Sequence, residues 1–276
     1  MISLNIGYSP CPNDTFIMAA LARHLVAVPY DFKPVLADVE TLNQWALEER
    51  LEVTKLSFAA LGTVRNSYGL LPSGGALGRG CGPLLVARRG GTLAGLDSGV
   101  VAAPGNFTTA RLLLSLFCGR TPQFEQMIFS DVMPAVERGD ADYGLVIHEG
   151  RFTYTKFGLE ALLDLGVWWG QKTGLPLPLG GIAIRRDFGS EVAQKVDESI
   201  RSSLLYARKQ PSDIMDYVLS HAQEMDLDVV SQHIELYVNS FSLDLGVEGR
   251  QAIETLFSKA EESGLIAASS LPIMAY

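Results

Sequence analysis

Ser9-Pro10-Cys11-Pro12-Asn13-Asp14-Thr15-Phe16 follows a short apolar run, Ile2 to Tyr8, and precedes a helical one, Phe16 to Leu25. Its two prolines impose a stiff, extended turn. Asn13, Asp14 and Thr15 are all good helix N-cap residues. The stretch carries the chain from a strand end into a helix N-terminus, where unpaired backbone N–H groups favour an anion. Junctions of the same kind recur at Ser57, Thr108 and His148. Four polar junctions at strand ends describe a binding cleft.

Outward from that stretch, short apolar strands alternate with amphipathic helices. Val28 to Leu36 reads as a strand. Val39 to Glu49 reads as a helix with Val39, Leu42, Trp45 and Ala46 on its apolar face. Val53 to Leu56 and Pro83 to Ala87 are strands, with a short helix from Phe58 to Arg65 between them. Arg89-Gly90-Gly91-Thr92 reads as a linker. A new series follows: strand Gly99 to Ala103, helix Thr108 to Phe117, strand Gln126 to Phe129, helix Met133 to Arg138, strand Tyr143 to Ile147. Beyond Thr173-Gly174-Leu175-Pro176-Leu177-Pro178 comes a strand, Gly181 to Arg185. Helices then run over Glu191 to Lys209, Ser212 to Gln223, Asp228 to Tyr237 and Glu248 to Glu262. Such alternation predicts an α/β fold of mainly parallel sheets flanked by helices. The two crossings predict a large discontinuous domain, residues 1–89 plus 180–276, and a small inserted one, residues 90–179. The ligand is expected between them, beyond the carboxyl ends of the strands.

Composition narrows the partners. With 276 residues, 47% hydrophobic and 19% charged, the chain has ample core for two domains. A formal charge of −9 and basic runs no longer than pairs such as Arg88-Arg89 argue against nucleic acid and anionic membranes. No apolar run approaches the ~18 residues of a membrane span. The first residues lack the pattern of a secretory signal, so a cytoplasmic protein is expected. Three well-separated cysteines, without a metal-ligand spacing, read as reduced thiols.

Each junction has a plain reading beside its functional one. Residues 9–16 are either a rigid turn and cap or a loop that turns Asn13 and Asp14 toward a ligand. Cys11 has no His or Lys near it in sequence, which favours a structural thiol over a thiolate. Ser57 is either a helix cap or, with Lys55, Leu56 and nearby amides, a carboxylate cradle. Thr108 and Thr109 are either helix caps only or paired hydroxyls beside free amides, a good anion site. Ser73 to Gly82 contains Gly75-x-x-Gly78-x-Gly80 but leads into a strand, opposite to a nucleotide-binding turn; it reads as a flexible segment with backbone near the ligand. His148 is either a satisfied structural residue, the default for a lone histidine, or, closing a strand in the expected cleft, the side chain best suited to exchange a proton near neutral pH. His24, His221 and His233 fall in helical segments and read as surface or packing residues. Trp168-Trp169 reads as core, or less strongly as an aromatic wall.

Taken together, the octet at 9–16, Thr54-Lys55-Leu56-Ser57, Ser73 to Gly80, Thr108-Thr109, Ile147-His148-Glu149, Asp164-Leu165-Gly166 with Trp168-Trp169, and Phe241-Ser242-Leu243-Asp244 carry a resemblance. The chain resembles the 1,4-dihydroxy-6-naphthoate synthases, enzymes of menaquinone biosynthesis by the futalosine route. The likeness runs over nearly the whole chain. It departs at Gly170, where an acidic residue is common in the family, and fades after Leu265. It implies a fold like the type II periplasmic binding proteins and cleavage of cyclic dehypoxanthine futalosine to 1,4-dihydroxy-6-naphthoate. It implies substrate contacts from Lys55, Leu56, Ser57, Thr108 and Thr109, with His148 as proton acceptor and no metal or organic cofactor. The small-molecule substrate carries a carboxylate, which suits hydroxyls and helix N-termini. Two alternatives stand beside this reading: a chorismate dehydratase-like enzyme of the same pathway, and a non-catalytic receptor for a carboxylate solute.

Overall fold

A computed structural model describes residues 2–222 and 226–276. The chain begins β1 (Ser3–Tyr8), α1 (Pro12–Ala22), β2 (Asp31–Leu36), α2 (Val39–Leu47), β3 (Val53–Ser57), α3 (Phe58–Val64), β4 (Tyr68–Leu70), β5 (Ala76–Gly78) and β6 (Leu84–Arg88). It continues through β7 (Val100–Ala103), α4 (Thr109–Cys118), β8 (Gln123–Gln126), α5 (Phe129–Arg138), β9 (Tyr143–Val146), α6 (Gly150–Thr153), β10 (Leu159–Asp164) and α7 (Leu165–Thr173). The remainder is β11 (Leu177–Arg185), α8 (Gly189–Lys209), α9 (Ser212–His221), α10 (Leu227–Tyr237), α11 (Ser240–Leu243) and α12 (Gly246–Glu262). The expected end of the third-last long helix at Gln223 lies outside the described residues.

Two sheets result. The first has the order β2-β1-β3-β11-β4, with β5 paired to β11. The second has the order β10-β6-β9-β7-β8. β1 runs parallel to β2 and β3, and β7 runs parallel to β8 and β9. The mainly parallel expectation holds for these strands and fails for the two that bring the chain in and back. β6 is antiparallel to β9 and β10, and β11 to β3, β4 and β5, because no crossover helix sets these pairings. The architecture is mixed α/β with two sheets.

Three local readings shift. β6 lies before residue 89 yet pairs in the second sheet, so the chain changes sheets between Gly78 and Leu84. Gly80 supplies a left-handed turn there (φ 65°), and Gly82 packs so closely on the Gly166 backbone that a Cβ would lie 2.8 Å away. Arg89-Gly90-Gly91 merely turns the end of β6, with Gly91 N–H donating to Arg88 O. The return falls between Thr173 and Leu177. Helix α1 starts at Pro12, not Phe16, because proline suits the first helical position. Asn13 and Asp14 thus occupy its first turn. The third strand of the second series is Gln123–Gln126 rather than Gln126 to Phe129, since Phe129 already opens α5.

The core explains how the sheets are held. Every residue from Pro12 to Leu21 is buried, so α1 is enclosed on all sides, packed between the first sheet and α8. A second cluster runs through both sheets, from Leu56, Phe58 and Leu77 to Leu85, Val101, Leu113, Leu145 and Trp169. A third packs α5 on the far face of the second sheet through Val86, Ala102, Val132 and Val136. Among the described residues no helix is long and apolar enough to cross a membrane.

Candidate active site

The carboxyl ends of β1, β3, β7 and β9 deliver the four polar junctions to one place. A cleft of about 680 Å³ is lined by Asn13, Asp14, Lys55, Leu56, Ser57, Thr108, Thr109 and His148, which includes every site residue expected from the sequence. Leu179, Gly180, His233 and Tyr237 complete much of the wall. An adjoining cavity of about 660 Å³ shares Ser9, Val39, Ile147 and His148 and reaches Cys11, Asp38 and Phe129.

Lys55 is a buried cation. It projects from β3 with its Nζ 2.5 Å from Asp14 Oδ1, and both side chains are about 5% exposed. Asp14 also accepts from the Ser9 hydroxyl (2.8 Å) and the Asn13 amide (2.8 Å). The pair is therefore satisfied by further hydrogen bonds, the condition under which burying charges is tolerable. Having Asp14 in the first turn of α1 adds the favourable field of the helix N-terminus.

The expected anion cradle is more occupied than its sequence suggests. Asn43 on α2 accepts from the Ser57 backbone N–H (3.0 Å) and donates to its hydroxyl (3.1 Å), so this amide is not free. Ser57 makes no side-chain cap to α3. The Thr108 hydroxyl accepts from Arg111 N–H as the cap of α4. The Thr109 hydroxyl donates to Leu179 O (2.7 Å) and accepts from Ala59 N–H (3.4 Å), linking the second-sheet side to the first. Glu40 on α2 accepts from the Asn106 and Phe107 amides at the entrance to α4 (2.7 and 3.0 Å). Burial raises the Glu40 carboxyl above its ordinary range even though these amides pull it down.

His148 stands just beyond β9 in a left-handed conformation (φ 54°), uncommon for a residue with a side chain. Its Nδ1 shares a 3.2 Å hydrogen bond with the Cys11 thiol. Phe129 meets the ring edge-on at 5.6 Å, and His233 stacks on it at 6.4 Å and 20°. Burial lowers the His148 pKa below 6.5, opposed by the nearby Glu149 and Asp14 carboxylates. Burial, followed by the Glu149 charge, holds the Cys11 thiol well above its ordinary 9.0. The site thus contains a neutral imidazole and a neutral thiol. Cys11, His148 and Glu149 bring three donor atoms within 4.8 Å of one another. Within this set the hydrogen bond runs between Cys11 and His148.

Several neighbours went unread. His233 is a packing residue, as one of its two expected roles had it, but it packs in the cleft wall: it is 1% exposed, lies against Tyr237 and bonds to Asn13 Oδ1 (2.9 Å). The His missing from the sequence around Cys11 is supplied by the second sheet. Of the expected apolar face of α2, Leu42 and Ala46 are buried and Val39 and Trp45 half-buried, while Glu40 and Asn43 join the buried side. A polar residue beside Leu42 in the buried phase was the available signal for Asn43. The Trp168-Trp169 pair is core: Trp169 is fully buried and donates to Pro176 O, while Trp168 packs on Phe117.

A protein-family model described as menaquinone biosynthesis matches residues 4–262. A curated relative from Thermus thermophilus, 1,4-dihydroxy-6-naphthoate synthase, is 50% identical over 274 residues, 99% of each chain. A relative of the same name from Streptomyces coelicolor is 43% identical over 279 residues, 99% of this chain and 98% of its own. Among solved structures, a protein from Archaeoglobus fulgidus superposes with a TM-score of 0.90 at 33% identity, covering 96% of this chain and 98% of that one. The periplasmic aliphatic sulphonate binding protein SsuA from Escherichia coli superposes with a TM-score of 0.66 at 13% identity, over 99% and 96% of the two chains. At that identity the likeness shows the fold alone, a periplasmic-binding-protein-like one.

Proposed function

The chain belongs to the menaquinone-biosynthesis family, and on that premise we propose that it cleaves cyclic dehypoxanthine futalosine to 1,4-dihydroxy-6-naphthoate as a carbon–carbon lyase. The observation that carries this reading is a half-buried, neutral His148 in the same cleft as Lys55, Ser57, Thr108 and Thr109. The substrate carboxylate lies against the Ser57 and Thr108–Thr109 junctions, with the Lys55 ammonium beside it. The flat ring system lies along Leu56, Ile147 and Leu179. His148 presents the Nε2 lone pair and directs its Nδ1–H at the Cys11 sulfur. It removes a proton beside an electron-withdrawing group, the electron pair enters the ring that becomes aromatic, and the ribose-derived fragment leaves.

Each sheet with its helices is a lobe in this reading, the second spanning about residues 84–176, and their approach excludes water from the intermediate. The test is turnover of purified protein with cyclic dehypoxanthine futalosine, read by mass spectrometry. The expected product is 1,4-dihydroxy-6-naphthoate. His148→Asn is expected to keep its melting temperature and much of its ligand binding. Its kcat should fall by at least ~10²-fold, the low end for a lost general base. A stable variant with near-wild-type kcat sinks the base assignment and leaves Asp14 as the next candidate.

A further inference from the structure

Two buried polar atoms, Glu149 Oε2 and His233 Nδ1, have no hydrogen-bond partner among the described residues, and they face each other at 3.9 Å. They come from opposite sides of the cleft. Glu149 follows His148 directly beyond β9, and His233 stands on α10, packed with the first sheet's helices. His233 Nε2 lies 2.9 Å from Asn13 Oδ1, while the Asn13 amide nitrogen donates to Asp14. The amide therefore turns its oxygen to the ring, Nε2 carries the imidazole hydrogen, and Nδ1 is a bare lone pair. A carboxylate oxygen opposed to a lone pair in a buried place repels it, and neither recovers the hydrogen bond it had in water. One proton between them, with an approach of about 1 Å, turns that repulsion into a hydrogen bond.

We propose that Glu149 and His233 are the positioning residues of His148: they share one proton across the cleft, and this contact clamps the His148 ring. The inference rests on His148 being the base. His148 needs a clamp, because its left-handed backbone is strained and persists only where its surroundings hold it. His233 supplies the stacked face, and its own ring is pinned at both nitrogens, by Asn13 on the first-sheet side and by Glu149 on the second. Approach of the lobes shortens the Glu149–His233 distance, so orientation of the base is completed as the cleft closes. The other titratable and charged groups around the pair are Cys11 and Asp14 from the β1–α1 junction, Lys55 from β3, and Tyr237 on α10. Cys11 and Tyr237 stay neutral through burial, leaving Asp14 and Lys55 paired to each other.

Glu149→Gln and Glu149→Leu separate the possibilities. Gln donates its own N–H to Nδ1 and needs no titrating proton; Leu donates nothing. In the wild type the shared proton is lost as pH rises, so kcat is expected to fall on the alkaline side. Gln is expected to keep kcat within a few-fold and to lack that alkaline fall. Leu is expected to lose at least about tenfold in kcat with KM nearly unchanged. Thermal melting gives a readout independent of turnover. A proton held only in the folded protein stabilises it at low pH and is lost as pH rises, so the wild-type melting temperature should fall relative to that of the Gln variant between pH 5 and 8. Parallel melting curves overturn the shared proton, including the case of a water that donates to both atoms. A Leu variant with wild-type kcat overturns the positioning role. Wild-type turnover in His148→Asn fails the base reading instead, and the melting comparison still decides the proton.

Discussion

Lys55 and Asp14 show what one buried pair commits the protein to. Replacing Lys55 with Met keeps the stem and removes the charge, leaving Asp14 buried without its cation. The expected loss is about 3–5 kcal/mol in chemical denaturation, the range for breaking a buried pair from one side. A loss below about 1 kcal/mol would mean that Ser9 and Asn13 alone satisfy the carboxylate. His148 acts at acid pH. Burial lowers its pKa, against the pull of the Glu149 and Asp14 carboxylates. In the unfolded chain its imidazole binds a proton near pH 6.5. The unfolded state therefore takes up the proton first, and stability falls as pH drops below about 6.5. Denaturation across that window is expected to show a shallower slope in His148→Asn; an unchanged slope would show that His148 is not held neutral. At this scale the strand-end residues were legible, since Lys55, Ser57, Thr108, Thr109 and His148 each end or follow an apolar run. Glu40, Asn43 and His233 were not, because a polar residue in a helical pattern reads by default as the solvated face, and only tertiary packing turns it inward.

Helix α4 is the element on which the cleft depends most. Its entrance is tied to α2 through Glu40, to α3 through Ala59 and to β11 through Leu179. Thr109→Val keeps the shape of the side chain but strips the hydroxyl from both bonds. It leaves the Leu179 carbonyl and the Ala59 amide unmatched, so a loss of about 1–3 kcal/mol is expected by thermal or chemical unfolding. If binding uses this junction, the affinity for an aromatic carboxylate such as 2-naphthoate should fall in the same variant; calorimetry reads both. Equal stability and equal affinity would remove Thr109 from either role. The long helices and the strands feeding the cleft were legible from periodicity. The edges of the second sheet were less so. β10 alternates weakly, with Leu159, Ala161 and Leu163 against Glu160 and Asp164, and α7 follows it without a break. The pairing partners of β6 and β11 were beyond local reading, because antiparallel register depends on strands distant in the chain.

Across the whole molecule, the apolar cluster that runs through both sheets sets the unit of unfolding. The two sheets share this core and cannot separate without exposing Leu56, Leu85 and Leu113 together. Differential scanning calorimetry is therefore expected to show one transition with matching calorimetric and van't Hoff enthalpies. Two resolved transitions would show that the sheets melt apart. The fold class itself was readable from the alternation of elements, whereas the position of the first crossing was not: a glycine run at 80–82 and another at 90–91 look alike until pairing shows which one changes sheets.

One register described above bears on how such a molecule can be taken apart and recombined. Leu84, where the second sheet is entered, stands opposite Asp164, where its last strand ends. The two ends of that excursion leave side by side, so a segment of about residues 84–164 can be grafted between homologous hosts without rethreading either chain. The graft divides the chemistry unevenly. It carries Thr108, Thr109, His148 and Glu149 together and leaves Lys55, Ser57, Cys11 and His233 with the host. Chimaeras between relatives would then assign differences in substrate preference or pH response to one bank of the cleft or the other.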